Sequence, residues 1–496
     1  MAEEASYLQQ QGAVDAEVVP KLVAMQAEYA EKIREASGRG DAKAIQELLG
    51  ELTAISQTIA GFGAPPQLVL VKEPETLQET PKKRLVYDES LCAIDLDAAV
   101  YDGDRDMYLA LIDDPRFSAV QLELTAHAKG KDLPKTALRL TPGLAPKVYE
   151  DVLGRCRKNL GLKAELEIHV IPSTRLRSFG SPLENGKIVL GVTSAMLERF
   201  EADELAFVLG REIGHAILLH HRLPLRVLQR RGRGRLTPLH ALRLPAWKRS
   251  ADLSADRVGL VASRSFEAAM RALFKLSSGV TSKTQDFQLR EYVDQLAAEV
   301  GEEVLPEDWF RRHAFSPTRL RALDLFARSE TYFKLTAQDA GNAELSEEQL
   351  EFEVKTIMSQ VEPSYLQEST ELGRLMKNFV FLGSFLVAAA ADRPDVAQLT
   401  ALASLLAPEE VEARVAAMLE ARVEEVQAQI AQMTANLNEE LPAVARLCLV
   451  NDLTEIAASG GAVSIAKLKT LHTITASLHL RQEFVDYVLA QTAEEE

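Results

Sequence analysis

The chain has 496 residues, 47% hydrophobic and 26% charged, which excludes the disordered and fibrous classes and predicts two to four domains with real cores. Its net charge of −17 argues against a general nucleic-acid binder, because such proteins gain affinity by neutralising phosphates. Three scattered cysteines, Cys92, Cys156 and Cys448, fit neither a disulfide framework nor a cysteine zinc site, and the start Met1-Ala2-Glu3-Glu4 lacks the basic and apolar regions of an export signal. The expected location is therefore cytoplasmic.

Residues 1–64 read as a helical hairpin arm, with apolar residues at three- and four-residue spacing on either side of Gly38-Arg39-Gly40-Asp41. The break Gly61 to Pro66 leads into a linker over 65–96, so compact structure is expected to resume near residue 95. Between 97 and 335, helical and strand-like patterns alternate. Glu165 to Ile171 and Lys187 to Leu190 are short, rich in β-branched residues and bounded by Pro or Gly, so they read as strands. Glu204 to His220 reads as an apolar helix, and Asp252 to Ala262 begins another.

Residues 340–496 read as helices separated by Pro394, Pro408 and Gly460-Gly461. From residue 336 onward there are 10 Lys/Arg and 26 Asp/Glu, so this all-helical part carries nearly all of the net negative charge. The apolar run Phe379 to Ala391 has 13 residues, short of the ~20 that span a bilayer, and is expected to be a buried core helix. The fold class is thus α+β, a small sheet packed with helices, flanked by the hairpin arm and the helical domain.

The chemistry centres on Arg211-Glu212-Ile213-Gly214-His215. In an H-E-x-x-H helix two histidines one turn apart hold zinc, and the glutamate polarises the bound water. Here Arg211 stands at the first histidine. Between the two candidate site helices lies a basic stretch with Arg222, Arg226, Arg230, Arg231, Arg233, Arg235, Arg243, Lys248 and Arg249. It suits either a solvated loop or recognition of phosphate, nucleic acid or an acidic surface such as the protein's own C-terminal third. No phosphate-binding glycine loop or G-x-S-x-G element is present, so neither a kinase nor a serine hydrolase is indicated.

Residues 97 to 335 resemble the HtpX and CAAX-prenyl-protease family of zinc metallopeptidases. Four blocks carry the resemblance. Asp203-Glu204-Leu205, Val208, Glu212, Gly214, His215 and His220 match the block around H-E-x-G-H, and Asp252 to Asp256 match a later E-x-x-A-D block. His313 and Arg319 match an H-P-x-x-x-x-R block with Ala314 in place of Pro, and Arg177-Ser178-Phe179 fall on N-A-F. The resemblance implies a gluzincin-like core with Glu212 at the general-base position and Arg211, His215 and Asp252 at the ligand positions. It places Arg177 at the substrate-holding asparagine, and it implies supporting roles for His220, Asp256, His313 and Arg319.

The departures fall on chemistry. A guanidinium about 4 Å from a divalent ion costs roughly 8 kcal/mol at an effective dielectric of ~20, and arginine cannot deprotonate to relieve it. No cofactor is therefore expected, and the vestigial positions Arg211, His215 and Asp252 are expected to bind no metal. Helical geometry turns His220 and His221 away from His215, so neither is expected to substitute. Arg211 is expected either to sit in the metal's place, paired with Asp252 or Glu212, or to snorkel to solvent.

The segment 365–490 resembles TerB-like helical domains through Leu386 to Leu405 and Asp452 to Ala457, although Gly460-Gly461 and Lys467 replace that family's acidic positions. An interaction or oligomerisation module is the expectation there. The expected function is a pseudoprotease that binds a peptide or protein without cutting it, with no membrane partner, nucleic acid disfavoured and homo-oligomerisation through the helical arms open. The alternative is an active zinc endopeptidase with an atypical ligand set, using zinc bound through His215 and Asp252.

Overall fold

The computed structural model describes residues 32, 87, 91–114, 117–118, 120–121, 136–223, 237–280, 288–291, 317–359, 361–366, 370–390, 399–403, 410–459 and 462–493. The chain divides into two compact units, Met1–Arg84 and Leu85–Glu496, and the elements that frame the site all belong to the second. The expected hairpin arm, most of the linker, His313, Gly460-Gly461 and the arginines of 224–236 lie outside the described residues. Packing begins a little before residue 95. Tyr87 and Cys92 are buried, and Lys163 N–H donates to the Leu91 carbonyl.

Around the site stand, in chain order, α1 (Asp102–Ile112), β1 (Leu138–Leu140), α2 (Gly154–Leu160), β2 (Glu165–Ile171), β3 (Ser178–Gly180), β4 (Lys187–Thr193), α3 (Ala202–Ile217), α4 (Pro238–Ser263), α5 (Phe266–Ser278) and α6 (Pro317–Ala327). The helical part continues with α7 (Glu347–Met358), α8 (Glu371–Ala389), α9 (Val423–Glu440), α10 (Ala443–Ser459), α11 (Ile465–Ser477) and α12 (Glu483–Ala493). The fold is mixed α+β, as the sequence pattern implies.

The sheet has strand order β1-β2-β4-β3, with β2 and β4 parallel and the two outer strands antiparallel to their neighbours. Leu166 and Ile168 of β2 and Ile188, Leu190 and Val192 of β4 are buried. The period of two thus turns one face to the helices. On β2, the buried Glu167 is tied to Lys187, Arg139 and His169. Neither β1 nor β3 is legible as a strand in the sequence. Each is three residues long, too short for an alternation to register.

Helix α3 begins with Glu201 N–H donating to Glu204 Oε2 at 2.8 Å, and its first turn carries Asp203 and Glu204, which suits the positive end of the helix dipole. It ends three residues before the expected His220, because Leu219 takes a left-handed φ of 63°. Helix α4 starts at Pro238, fourteen positions before the expected Asp252. Thr237 Oγ1 accepts His240 N–H and Pro238 occupies the first turn, the usual signals of a helix start. The interior Pro245 obscures that start in the sequence. The basic stretch 222–249 is accordingly no single loop, since Arg243, Lys248 and Arg249 stand on α4.

Helices α3 and α4 meet along a seam of small residues. A Cβ on Gly210 would lie 2.6 Å from Ala262 Cβ, and one on Gly214 would lie 3.0 Å from Val258 Cβ. At Gly259 the missing side chain leaves room for Arg211, whose Cγ would be 2.7 Å from an added Cβ. This close approach carries residues of the two helices into one pocket.

The helical part shares the same core. Phe379, Val380 and Phe385 of α8 and Leu449 and Leu453 of α10 belong to one buried cluster with Phe207 and Leu209 of α3. Helix α8 contains most of the apolar run read as a core helix. It is long and apolar enough to cross a membrane, yet its side chains from Phe379 to Val387 are buried inside the protein. A smaller cluster joins Tyr108 and Leu111 of α1 to Leu244 and Trp247 of α4.

Gly259→Ala is expected to lower stability by about 1–3 kcal/mol through overpacking, because the new methyl meets the Phe207 carbonyl oxygen at 2.8 Å as well as Arg211. A lower denaturant midpoint with an unchanged slope would report it.

Candidate functional site

The pocket is built where α3, α4, α6 and β3 converge. Arg211 of α3 is buried, and its guanidinium donates from Nε to Asp256 Oδ1 and stands 3.5 Å from Asp252 Oδ1 through Nη2. Arg319 of α6 joins the same carboxylate, with Nε 2.8 Å from Asp256 Oδ2 and Nη2 2.7 Å from Oδ1. Burial alone would lower the Arg319 guanidinium's hold on its proton, but Asp256 outweighs it and the net shift is upward. Two guanidiniums therefore share one carboxylate, and Arg211 turns inward rather than snorkelling.

A third cation reaches the site from α4 itself. Lys248 lies one turn before Asp252, and its Nζ stands 2.5 Å from Asp252 Oδ1. The same oxygen is 3.2 Å from His215 Nε2. Burial would raise the Asp252 carboxyl, but Lys248, His215 and Arg319 together hold it well below the usual carboxylate range. It stays ionised at any ordinary pH.

Glu212, at the general-base position, is not a partner of Arg211. It accepts the Ser178 hydroxyl at 2.9 Å, and its backbone carbonyl packs where a Cβ on Gly180 would lie, 2.8 Å away. Strand β3 therefore lies directly over α3. Arg177, just before β3, is exposed, and its backbone exchanges hydrogen bonds with Thr193.

His220 does not point away from His215, contrary to the expectation from helical rotation. The left-handed Leu219 folds it back so that its Nδ1 is 2.8 Å from His215 Nδ1. Its Nε2 lies 2.9 Å from Asp104 Oδ2, and Trp247 Nε1 donates to Asp104 Oδ1 at 3.0 Å. The result is a continuous line, Asp104, His220, His215, Asp252.

Burial, reinforced by Lys248, pushes His215 well below the ordinary imidazole range, and an ionised Asp252 can only accept, so the one N–H of a neutral His215 goes to Asp252. In this arrangement His215 directs an N–H at Asp252 rather than a lone pair into the pocket.

This donor set does not suit a zinc cage. Among the described residues no group of three or more His, Cys, Asp or Glu is placed to hold a metal ion. His215 and Asp252 face each other, and Arg211 and Lys248 flank the carboxylate. Arg211, Arg319 and Lys248 already balance Asp252, Asp256 and Glu212, so a divalent cation would enter a neutral pocket with no charge to attract it.

Sequence reasoning singles out Arg211, Glu212, His215, His220, Asp252, Asp256 and Arg319, which the structure brings together around α3 and α4, His220 by a turn that helical rotation did not anticipate. It misses Lys248, which spacing could have supplied, since it stands four residues before Asp252 on one helix. It also misses Ser178 as the partner of Glu212. Asp104 and Trp247 carry no local signal, because α1 reaches the site only through the tertiary fold.

A search of curated proteins finds no match to this chain. Residues 147–231 match the family model described as Peptidase family M48, a span that includes α2, β2, β3, β4, α3 and the histidine turn His220–Arg222, and this match supports a metallopeptidase-type family of the M48 kind.

Proposed function

We propose that this protein is a metallopeptidase homologue of the HtpX and CAAX-prenyl-protease type that has exchanged its metal for an internal ion network and binds a peptide or protein segment without cleaving it. The observation that carries this reading is the pair of cations on Asp252. Arg211 and Lys248 stand 3.5 and 2.5 Å from its Oδ1, where a zinc ligand would need to face the ion. The network then performs the mechanical part of a metal's work, tying α3, α4 and α6 together through Asp256.

A binding role is supported by the sheet edge beside Glu212. The Arg177 carbonyl accepts Thr193 N–H and Ser181 N–H donates to the Val189 carbonyl, so the alternate residues Ser178 and Gly180 direct their N–H and C=O groups away from β4, where no further strand pairs among the described residues. An extended peptide can add to such an edge. The helical part, with its TerB-like pattern, serves assembly in this reading, and the compartment is cytoplasmic.

Two measurements test it. The purified wild-type protein is expected to hold only substoichiometric zinc by mass spectrometry and to cleave no unfolded protein substrate. Arg211→His alone is expected to change neither, because Lys248 still covers Asp252, whereas Arg211→His combined with Lys248→Met and Asp252→Glu is expected to raise zinc toward one per chain. Stoichiometric zinc with chelator-sensitive cleavage by the wild type would establish the active-endopeptidase alternative instead.

Asp256→Ala is expected to cost about 3–5 kcal/mol, because it leaves the buried Arg211 and Arg319 without their shared counter-charge. Chemical denaturation measures the loss. A change below about 1 kcal/mol, the range of exposed pairs, would remove the network from its structural role.

A further inference from the structure

The open edge of β3 carries two cations that the protein leaves unanswered. Ser178 sends its hydroxyl inward to Glu212, so the alternation of a strand turns its neighbours Arg177 and Phe179 to the outer face of the sheet. The Phe179 ring follows that direction and lies over Gly191 of β4, in the place a Cβ would take. Thr193 N–H donates to the Arg177 carbonyl at 3.1 Å, which carries the ladder one residue beyond the strand. Arg177 is exposed there, and Arg175, two residues earlier, is exposed as well. Neither guanidinium has a hydrogen-bond or ion-pair partner among the described residues.

In a chain of net charge −17 two such arginines need a reason, and the sheet supplies it. Its own carboxylates are either engaged or at the other end. Glu167 is held by Lys187, Arg139 and His169. Glu165 and Glu184 both stand opposite Lys187, six positions along β4 from Thr193, or about 20 Å at the rise of a strand. On the inner face Glu212 accepts Ser178, and Arg211, Arg319 and Lys248 balance the carboxylates of the pocket.

We infer, on the reading above that β3 accepts an added strand, that this edge selects acidic segments: an extended peptide binds with a carboxylate side chain facing Arg177 and an apolar side chain, two residues away, facing Phe179.

The spacing follows from the ladder. Ser178 and Gly180 offer their N–H and C=O groups to the incoming strand, so the residues opposite Arg177 and Phe179 come two apart and share the outer face. The residue between them faces Ser178 and Glu212, where the charges already balance and charge gives no selection. Arginine's planar fork of donors matches a carboxylate, and Arg175 adds to the same positive field.

Fluorescence anisotropy on the full chain tests this with short labelled peptides of repeating X-Thr-Val-Thr, where X is Glu, Gln or Lys and the β-branched residues favour an extended chain. The Glu peptide is expected to bind about fivefold to tenfold more tightly than the Lys peptide, with Gln between them. That is the scale of one or two exposed ion pairs gained in one case and repelled in the other, and the ranking is expected to narrow as salt is raised. Arg177→Glu, at an exposed position, is expected to reverse the ranking. N-methylation of the threonines, whose N–H groups would meet β3, is expected to abolish binding of all three peptides. Equal binding of the three, or a folded Arg177→Glu variant that still favours the Glu peptide, would overturn the acidic selection and leave strand addition standing. Binding that survives N-methylation, or binding by none of the peptides, would overturn strand addition at β3 and the selection with it.

Discussion

Two helices packed at glycine distance oblige the charges between them to find partners in protein rather than in water. Gly210, Gly214 and Gly259 bring α3 and α4 so close that Arg211 is buried between them and runs across Gly259 to Asp256. Once Asp256 is committed to Arg211 and to Arg319 of α6, three helices are joined at one carboxylate. Burying such a network is not a cheap source of stability, because desolvation offsets most of the attraction. Its contacts tie one helix to another, Arg211 of α3 and Arg319 of α6 meeting on Asp256 of α4.

The histidine line supports the proposed exchange of a metal for an internal ion network. In an H-E-x-x-H site the imidazole presents a lone pair, and an outer partner holds the other nitrogen's proton. Here that outer partner is His220, already engaged by Asp104 and edge-on to Trp247. An ionised Asp252 can only accept, which turns an N–H of His215 toward it. In the proposed reading Arg211 and Lys248 each oppose a cation at Asp252, so reversing one leaves the other.

How much of this can be read in the sequence depends on how local each signal is. Strand β2 is legible from end to end because seven consecutive residues keep a strand pattern between turn formers, and α3 is legible from its apolar length. The end of α3 is not, because a left-handed leucine has no sequence signature, and extending the helix through it sends His220 to the wrong side. Arg211's inward turn follows from the acidic residues that the pattern places around it. Its preference for Asp256 over Glu212 does not, since that choice depends on Ser178 reaching Glu212 from a strand too short to anticipate. Asp104 lies more than a hundred residues before His220, and only the folded core brings the two together.

Helix α4 explains why the two halves of the unit cannot be treated separately. A surface helix is apolar on one stripe, but α4 is buried around most of its circumference, so its polar residues sort by neighbour rather than by solvent. Lys248, Asp252 and Asp256 recur every four residues and line the pocket. Arg249, Ser250, Ser254 and Arg257 occupy the other faces, reaching Val361, Glu362, the Tyr101 backbone and Glu351. This pattern gives no single apolar stripe, which is why the sequence reveals the helix only from Asp252 onward. It also means that a shift of α4 by a fraction of a turn would break contacts on both faces at once, so the position of Asp252 in the pocket is set as much by the helical part behind it as by the cations in front.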